Sequence, residues 1–448
     1  MFAEIVSGIT FASVYGIAKL KKDGHSGDDA KKIKTIADAI GLKKDGKSIR
    51  IFRKSRPKGK KYTEYVYQIP LGLSLKDFND KIDKFEDGLN NKKTLFMINL
   101  SDLKKIKLKE IRKATNIQGA FNYIKKNIGQ KVLIRKTIEM SYDGMLHFKV
   151  YDSGIPNFIK FKESLWNDCK GWQMPVGETR EGVLFHELDN GHIVVAGATT
   201  FGKSQLLKLL IATLLKNKPD ETELSLIDLK GGLEMQYYED CKQTINFAED
   251  LESAVEVLRI IREEIEKRQE LLRVKRFNNV KKAGITKRHF VIVDEASQLA
   301  PSQQVGKVDK ALALEAQSHM AFITRIGHSM GYTLIYATQY PVGDVMPNQI
   351  KANSNTTMCF RLESDTQSLT VLDRAGAENI ELKGRCIYSV PSGFQEVQSY
   401  LIDDKTIDSV VSQNTIIRPR KDDKSAALHE KGTKNRKHTL ELEEIHLP

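Results

Sequence analysis

From residue 166 onward the chain alternates short, mainly apolar runs with longer stretches whose apolar residues return every three or four positions. "HIVVAGA", "ELSLIDLK", "HFVIVDEA" and "YTLIYATQ" are of the first kind, and each predicts a strand. Gln205–Lys216, Asp250–Arg276 and a segment ending near His328 carry the helical period between them. Apolar strands separated by amphipathic helices predict an α/β fold with a largely parallel sheet.

Residues 23–165 read differently. A polar hinge at Asp23–Asp29 precedes a helix over Ala30–Ile40. "KKDGKSIRIFRKSRPKGKKYTEYVYQIP" predicts two strands joined by a basic Pro/Gly turn, and "SLKDFNDKIDKFEDGL" a Ser-capped helix. "KTLFMINL", a helix near Ile117–Ile128 and a β-rich stretch from Lys131 to Lys160 complete a smaller α+β domain. The expected division is therefore 1–22, 23–165, 166–402 and a charged, flexible tail over 403–448.

The first twenty residues, MFAEIVSGITFASVYGIAKL, are mostly apolar and end at Lys19, Lys21 and Lys22. A membrane-associated helix and a helix packed on protein are both compatible with that pattern, because Glu4 and several Ser, Thr and Gly residues dilute it.

Composition adds two points. The formal charge of +13 over 448 residues favours polyanionic partners, nucleic acid or an acidic membrane surface. The four cysteines, at 169, 241, 359 and 386, show no metal-ligand spacing and no disulfide framework, which fits a reducing cytosol.

The chemistry begins at Gly197-Ala198-Thr199-Thr200-Phe201-Gly202-Lys203-Ser204, which matches G-x-x-x-x-G-K-[ST] between an apolar strand and a helix. Its glycines let backbone N–H groups turn inward on a phosphate, and the start of the helix, through Gln205, adds positive potential. Lys203 supplies a charge to the β and γ oxygens, and the Ser204 hydroxyl a ligand for Mg²⁺. Asp294 and Glu295 close the strand "HFVIVDE", where Asp294 would hold the water shell of Mg²⁺ and Glu295 would activate water. A small-molecule kinase has no need of that glutamate, so the pair points to ATP hydrolysis. Gln339, ending a third strand, is placed to sense the γ-phosphate.

"IVVAGATTFGKS", "LIDLKGGLEM", "VIVDEASQLA", "RIGHSMGYTLIYATQYP", "IKANSNTTMCFRL" and "VLDRAGAENIELKGRCIYSV" occur in the order seen in FtsK/SpoIIIE-type DNA translocases, and the chain resembles that family over roughly 175–402. The resemblance implies a RecA-like ATPase core, a ring of six subunits and double-stranded DNA in its pore. It implies catalytic parts for Asp294, Glu295 and Gln339, and makes Arg325 or Arg361 the arginine that reaches a neighbour's γ-phosphate. Tyr340, His328 and Leu369 stand where many members carry arginine, which leaves the contact between subunits open. Lys230 and Lys351, on loops expected to face the pore, are candidates for phosphate contacts with DNA, as are the turn Arg53–Lys61 and the run Arg273–Arg288.

A polar tail stands where chromosome translocases carry a compact winged helix, so the layout is more similar to FtsK-like proteins of conjugative elements, plasmids and phages. The expected function is an ATP-driven duplex DNA translocase in conjugative transfer or segregation, cytoplasmic, at the inner face of the membrane, with a transfer-apparatus partner through its N-terminal region. The alternatives are a secretion or packaging ATPase and a nucleotide-gated scaffold.

Overall fold

The computed structural model describes residues 29–58, 60–90, 94–98, 129–133 and 135–416, and for 94–98 and 129–133 the backbone alone. The stretch 1–22, the helix expected near 117–128 and residues 417–448 lie outside the described residues. Among those described, no helix is long and apolar enough to cross a membrane. The chain divides into two units between Gly154 and Ile155, so residues 155–165 belong with the second unit, eleven residues earlier than the expected boundary.

The first unit contains α1 (Asp29–Ala39), β1 (Arg50–Ser55), β2 (Tyr62–Gln68), α2 (Leu75–Asn79), α3 (Ile82–Leu89), β3 (Thr94–Ile98), β4 (Gly129–Leu133), β5 (Thr137–Tyr142) and β6 (Leu146–Tyr151). Four strands form an antiparallel sheet in the order β1-β2-β6-β5, and β3 pairs with β4. Alternate residues of β2, β5 and β6, among them Tyr65, Tyr67, Ile138, Leu146 and Phe148, share a core with Ile33, Ala37, Phe78 and Phe85 of the helices. The single helix expected over "SLKDFNDKIDKFEDGL" is broken at Asp80-Lys81. Lys81 leaves helical geometry at φ −122°, and its ammonium donates to the carbonyl of Ile40 at 3.0 Å. The break brings both Phe78 and Phe85 against Phe148.

The second unit contains β7 (Gln173–Thr179), β8 (Gly182–Glu187), β9 (His192–Ala196), α4 (Lys203–Asn217), β10 (Thr222–Asp228), β11 (Thr244–Ala248), α5 (Leu251–Val274), β12 (Arg288–Asp294), α6 (Lys307–Ile326), β13 (Tyr332–Thr338), α7 (Asn348–Ala352), β14 (Ser354–Cys359), α8 (Asp365–Leu372), β15 (Arg385–Val390), β16 (Gly393–Ser399) and α9 (Asp404–Asn414). Its ten-stranded sheet runs β11-β10-β12-β13-β9-β14-β15-β16-β7-β8. The strands from β11 to β14 are parallel, and the remaining pairings are antiparallel. The expected largely parallel sheet is thus present, extended by two hairpins that the apolar pattern did not announce.

Every residue of β9, β12 and β13 is buried, as strands covered on both faces must be. Phe290 and Ile292 of β12 point to a core shared with Leu206, Leu210 and Leu214 of α4 and Val410 of α9. Val291 and Val293 point to the opposite core, shared with Val257, Leu258 and Ile261 of α5 and Met320 and Ile323 of α6. This doubly covered sheet brings the C-terminal ends of β9, β12 and β13 to one edge.

Residues 403–416, expected to belong to a flexible tail, are folded. Asp403 caps α9 by accepting the N–H of Thr406 at 2.9 Å, and Ile407, Val410 and Val411 bury against the core under α4. Asn414 then ties three neighbours together. Its Oδ1 accepts from Gln243 Nε2 at 2.7 Å, its carbonyl from Lys242 N at 2.9 Å, and its Nδ2 donates to Leu215 O at 3.4 Å.

The units also differ in charge. Residues 1–154 carry 33 Lys and Arg against 17 Asp and Glu, and residues 155–448 carry 38 against 41. The whole positive excess therefore belongs to the first span, at net +16 against −3.

Candidate functional site

The loop 197–202 leaves β9 and opens α4. Its path needs glycine at both ends. A Cβ on Gly197 would lie 2.6 Å from Phe360 Cβ, and one on Gly202, whose φ is +127°, would lie 2.7 Å from Phe360 Cε1. Thr200 between them is held at φ +71°. The loop is anchored by Gly197 N donating to Thr338 O at 3.1 Å and Ala198 N donating to Arg361 O at 2.7 Å. Two neighbouring strands of the sheet thus fix its base.

Lys203 begins α4 and is almost fully buried, with its ammonium on Asp294 Oδ1. Burial lowers its pKa to about 8, with the charge of Lys230 acting in the same direction. The other oxygen of Asp294, Oδ2, is buried without a hydrogen-bond partner. Ser204 and Asp294 line one small cavity with Glu234 and Met235. A hydroxyl and an unsatisfied carboxylate oxygen at a phosphate loop are hard oxygen donors of the kind Mg²⁺ takes. These residues therefore fit the metal, although among the described residues no cluster of three or more His, Cys, Asp or Glu could hold an ion unaided.

Glu295 follows Asp294 in the left-handed region, at φ +62°. Its Oε1 accepts from the Ser297 hydroxyl at 2.5 Å, the Gln339 backbone N–H at 3.1 Å and the Thr338 hydroxyl at 3.3 Å. Burial pushes this carboxyl up. The donors from Ser297 and Gln339 and the ammonium groups of Lys203 and Lys230 outweigh it and hold the group below its usual value. The Gln339 side chain accepts from the Thr199 hydroxyl at 2.8 Å, linking the end of β13 to the phosphate loop.

Lys203, Ser204, Asp294, Glu295, Gln339 and the loop 197–202 are thus gathered at one edge of the parallel strands. Chemically, the group offers a buried cation, two oxygen donors for a divalent ion and an ionised carboxylate. Ser297, Thr338 and Phe360 escaped the sequence reading. Ser297, two residues after Glu295, was the nearest to a visible signal.

The remaining expected residues are placed elsewhere or differently. Arg361 lies against the phosphate loop of its own subunit, its guanidinium 5.3 Å from the Phe201 ring and donating to Ile380 O at 3.4 Å. Arg325 is exposed on α6 above Phe322, in an open groove of about 550 Å³ lined also by Arg262, Gln317 and Asn348. Lys351, expected on a pore loop, donates to Thr370 O at 2.6 Å and pairs with Asp373 at 2.7 Å, so its charge is spent on the end of α8. Lys230, expected to face DNA, instead stands 3.3 Å from Glu295 Oε2. In the two basic stretches, Arg53 pairs with Glu64, Arg56 with Asp152, and Lys281 and Arg288 with Asp189.

A doubly covered parallel sheet with a phosphate loop after one strand and acidic residues after its neighbour but one defines the P-loop ATPase fold. Residues 165–338, within the second unit, match the model of the FtsK/SpoIIIE family. Over 251 residues the chain is 30% identical to the DNA translocase FtsK of Bacillus anthracis, covering 52% of this chain and 30% of that protein. Over 280 residues it is 28% identical to the type VII secretion system protein EssC of Staphylococcus aureus, covering 55% of this chain and 18% of that protein. The chain spans about a third of the length of the curated translocases it matches. The fold is shared with the monomer form of the pCW3 conjugation coupling protein TcpA with ATPγS, at a TM-score of 0.55 and 19% identity, over 86% of this chain and 99% of that one.

Proposed function

We propose that the chain hydrolyses Mg·ATP and uses the energy to move duplex DNA, as part of a conjugative or related mobile element. One observation carries the hydrolytic half. Lys203, the free Oδ2 of Asp294, Glu295 and Gln339 converge on the phosphate loop from three strand ends. The loop N–H groups and Lys203 would hold the β and γ phosphates, and the ion held by Ser204 and Asp294 would neutralise developing charge. Glu295 takes the proton of the attacking water, and Gln339, tied to Thr199, reports the γ-phosphate to the loop after β13. DNA as cargo is supported by the FtsK match and by the net +16 of residues 1–154.

The trans-acting arginine in this reading is Arg325, exposed on α6, because Arg361 already packs on its own subunit's loop. A ring of six subunits, and a membrane or transfer-apparatus partner for the N-terminal region, complete the proposal. The second reading is a secretion-type ATPase, favoured by the EssC match over a similar share of the chain. Displacement of a triplex-forming strand from linear duplex by the purified chain tests the first reading. Lys203→Ala should abolish displacement with loss of nucleotide binding. Glu295→Gln should bind ATP normally and lower kcat by about 10²-fold or more. An ATPase rate that duplex leaves unchanged, with no displacement, would overturn the DNA assignment in favour of the second reading.

A further inference from the structure

Glu295 is gripped at both oxygens. Oε1 is taken by the donors from Ser297, Thr338 and Gln339. Oε2 is buried, makes no aligned hydrogen bond, and faces the ammonium of Lys230 at 3.3 Å. The proton of an attacking water has to arrive at Oε2, where that ammonium sits.

The loop that carries Lys230 is held at Asp228 and again at Gly232, whose N–H donates to Asp228 O at 3.1 Å and whose carbonyl accepts the Gln236 N–H at 2.8 Å. Asp228, at the end of β10, accepts the N–H groups of Lys230 at 3.2 Å, Glu234 at 2.8 Å and Met235 at 2.9 Å. Between these points Gly231 and Gly232 both have φ +76°, a conformation that side-chain-bearing residues rarely adopt. A Cβ on Gly231 would meet nothing within 4 Å, and Leu233 at the tip is 72% exposed. The Lys230 side chain is about one third exposed. The root sets Lys230 within reach of Glu295, and Gly231 and Leu233 are the open positions beside it.

We propose that Lys230 is a latch on Glu295, released when phosphates of duplex DNA reach loop 229–233 and draw the ammonium away. This rests on the reading of Glu295 as the water activator. With the latch open, a water O–H bond breaks toward Oε2 as the oxygen bonds the γ-phosphorus. The bond from that phosphorus to the bridging oxygen breaks, ADP leaves with its electron pair, and the carboxylic acid then returns its proton to solvent. Lys230 acts through Glu295 and is a positioning residue. One cation thus serves two anions in turn, which couples occupancy by DNA to turnover without a long relay.

Steady-state ATPase with and without linear duplex tests the latch in full-length wild type, Lys230→Ala, Lys230→Gln and Lys230→Arg. The alanine variant should raise kcat without DNA about three- to tenfold, the range for one partly buried charged contact, at unchanged KM. It should also lose most of the stimulation by duplex, whereas Lys230→Arg keeps low basal turnover and retains stimulation. Lys230→Gln carries the same expectation should the alanine variant fail to bind a fluorescent ATP analogue. A fall in basal kcat, or stimulation equal to wild type in both neutral variants, overturns the latch and leaves the reading of Glu295 standing. No turnover by wild type, with or without duplex, overturns that reading and the latch with it.

Discussion

Two arginines illustrate what single residues decide here. Arg361 has a carbonyl on Ala198 N and a guanidinium over Phe201, so it shapes the phosphate loop from within the subunit. Arg325 lies exposed over Phe322 on α6. Arg325→Ala is expected to lower kcat by about 10²-fold or more in the assembled state with little change in KM. Arg361→Ala is expected to raise KM and lower thermal stability. A steady-state series on both variants, with a melting curve for each, separates the roles. The sequence alone could not rank them, because each is an arginine near a matching motif and their different packing is not encoded locally. Lys203, Ser204, Asp294, Glu295 and Gln339 were legible for the opposite reason, since each follows an apolar strand directly and strand ends meet in a parallel sheet. Lys351 was expected on a pore loop, and its ion pair with Asp373, 22 residues downstream, has no local signal.

The helix α9 shows how an element can look dispensable in sequence and still brace the site. "DKTIDSVVSQN" is polar apart from Ile407, Val410 and Val411, yet those three face the core beneath α4. Asn414 is buried, and its side chain bonds Gln243, Leu215 and Val410. Asn414→Ala should cost about 1–3 kcal/mol, because it leaves Gln243 without one of its buried partners. Thermal melting checks that figure, and a fall in ATP affinity alongside it would show that α4 is the element disturbed. Strands β9, β12 and β13 were legible because continuous apolar runs have few other uses. Strands β7, β8, β15 and β16 were not. Their burial is patchy, and their pairing joins distant segments, Gln398 opposite Glu178, which no local period encodes.

Over the whole molecule, buried histidines set an acid limit. Burial lowers His186 and His192 to about 4 and His289 to about 3, with His328 adding to the effect on His192 and Arg268 to that on His289. These groups are neutral in the fold and take protons near pH 6.5 once unfolded. The unfolded chain therefore binds more protons below that value, and stability declines as pH falls from about 6.5 toward 4. Melting temperatures at pH 7.5 and 5.0 should differ clearly, and a flat profile would show that the histidines carry no such linkage.

The uneven charge of the two spans has a practical corollary for ionic strength. Salt weakens a hold on polyphosphate that depends on many scattered cations far more than it weakens a buried pocket. Raising sodium chloride from about 50 to 200 mM should therefore raise the duplex concentration needed for half-maximal stimulation by orders of magnitude, while ATPase without duplex shifts little. Grip and fuel use would then answer to separate dials, one turned by the surrounding electrolyte and the other by nucleotide supply.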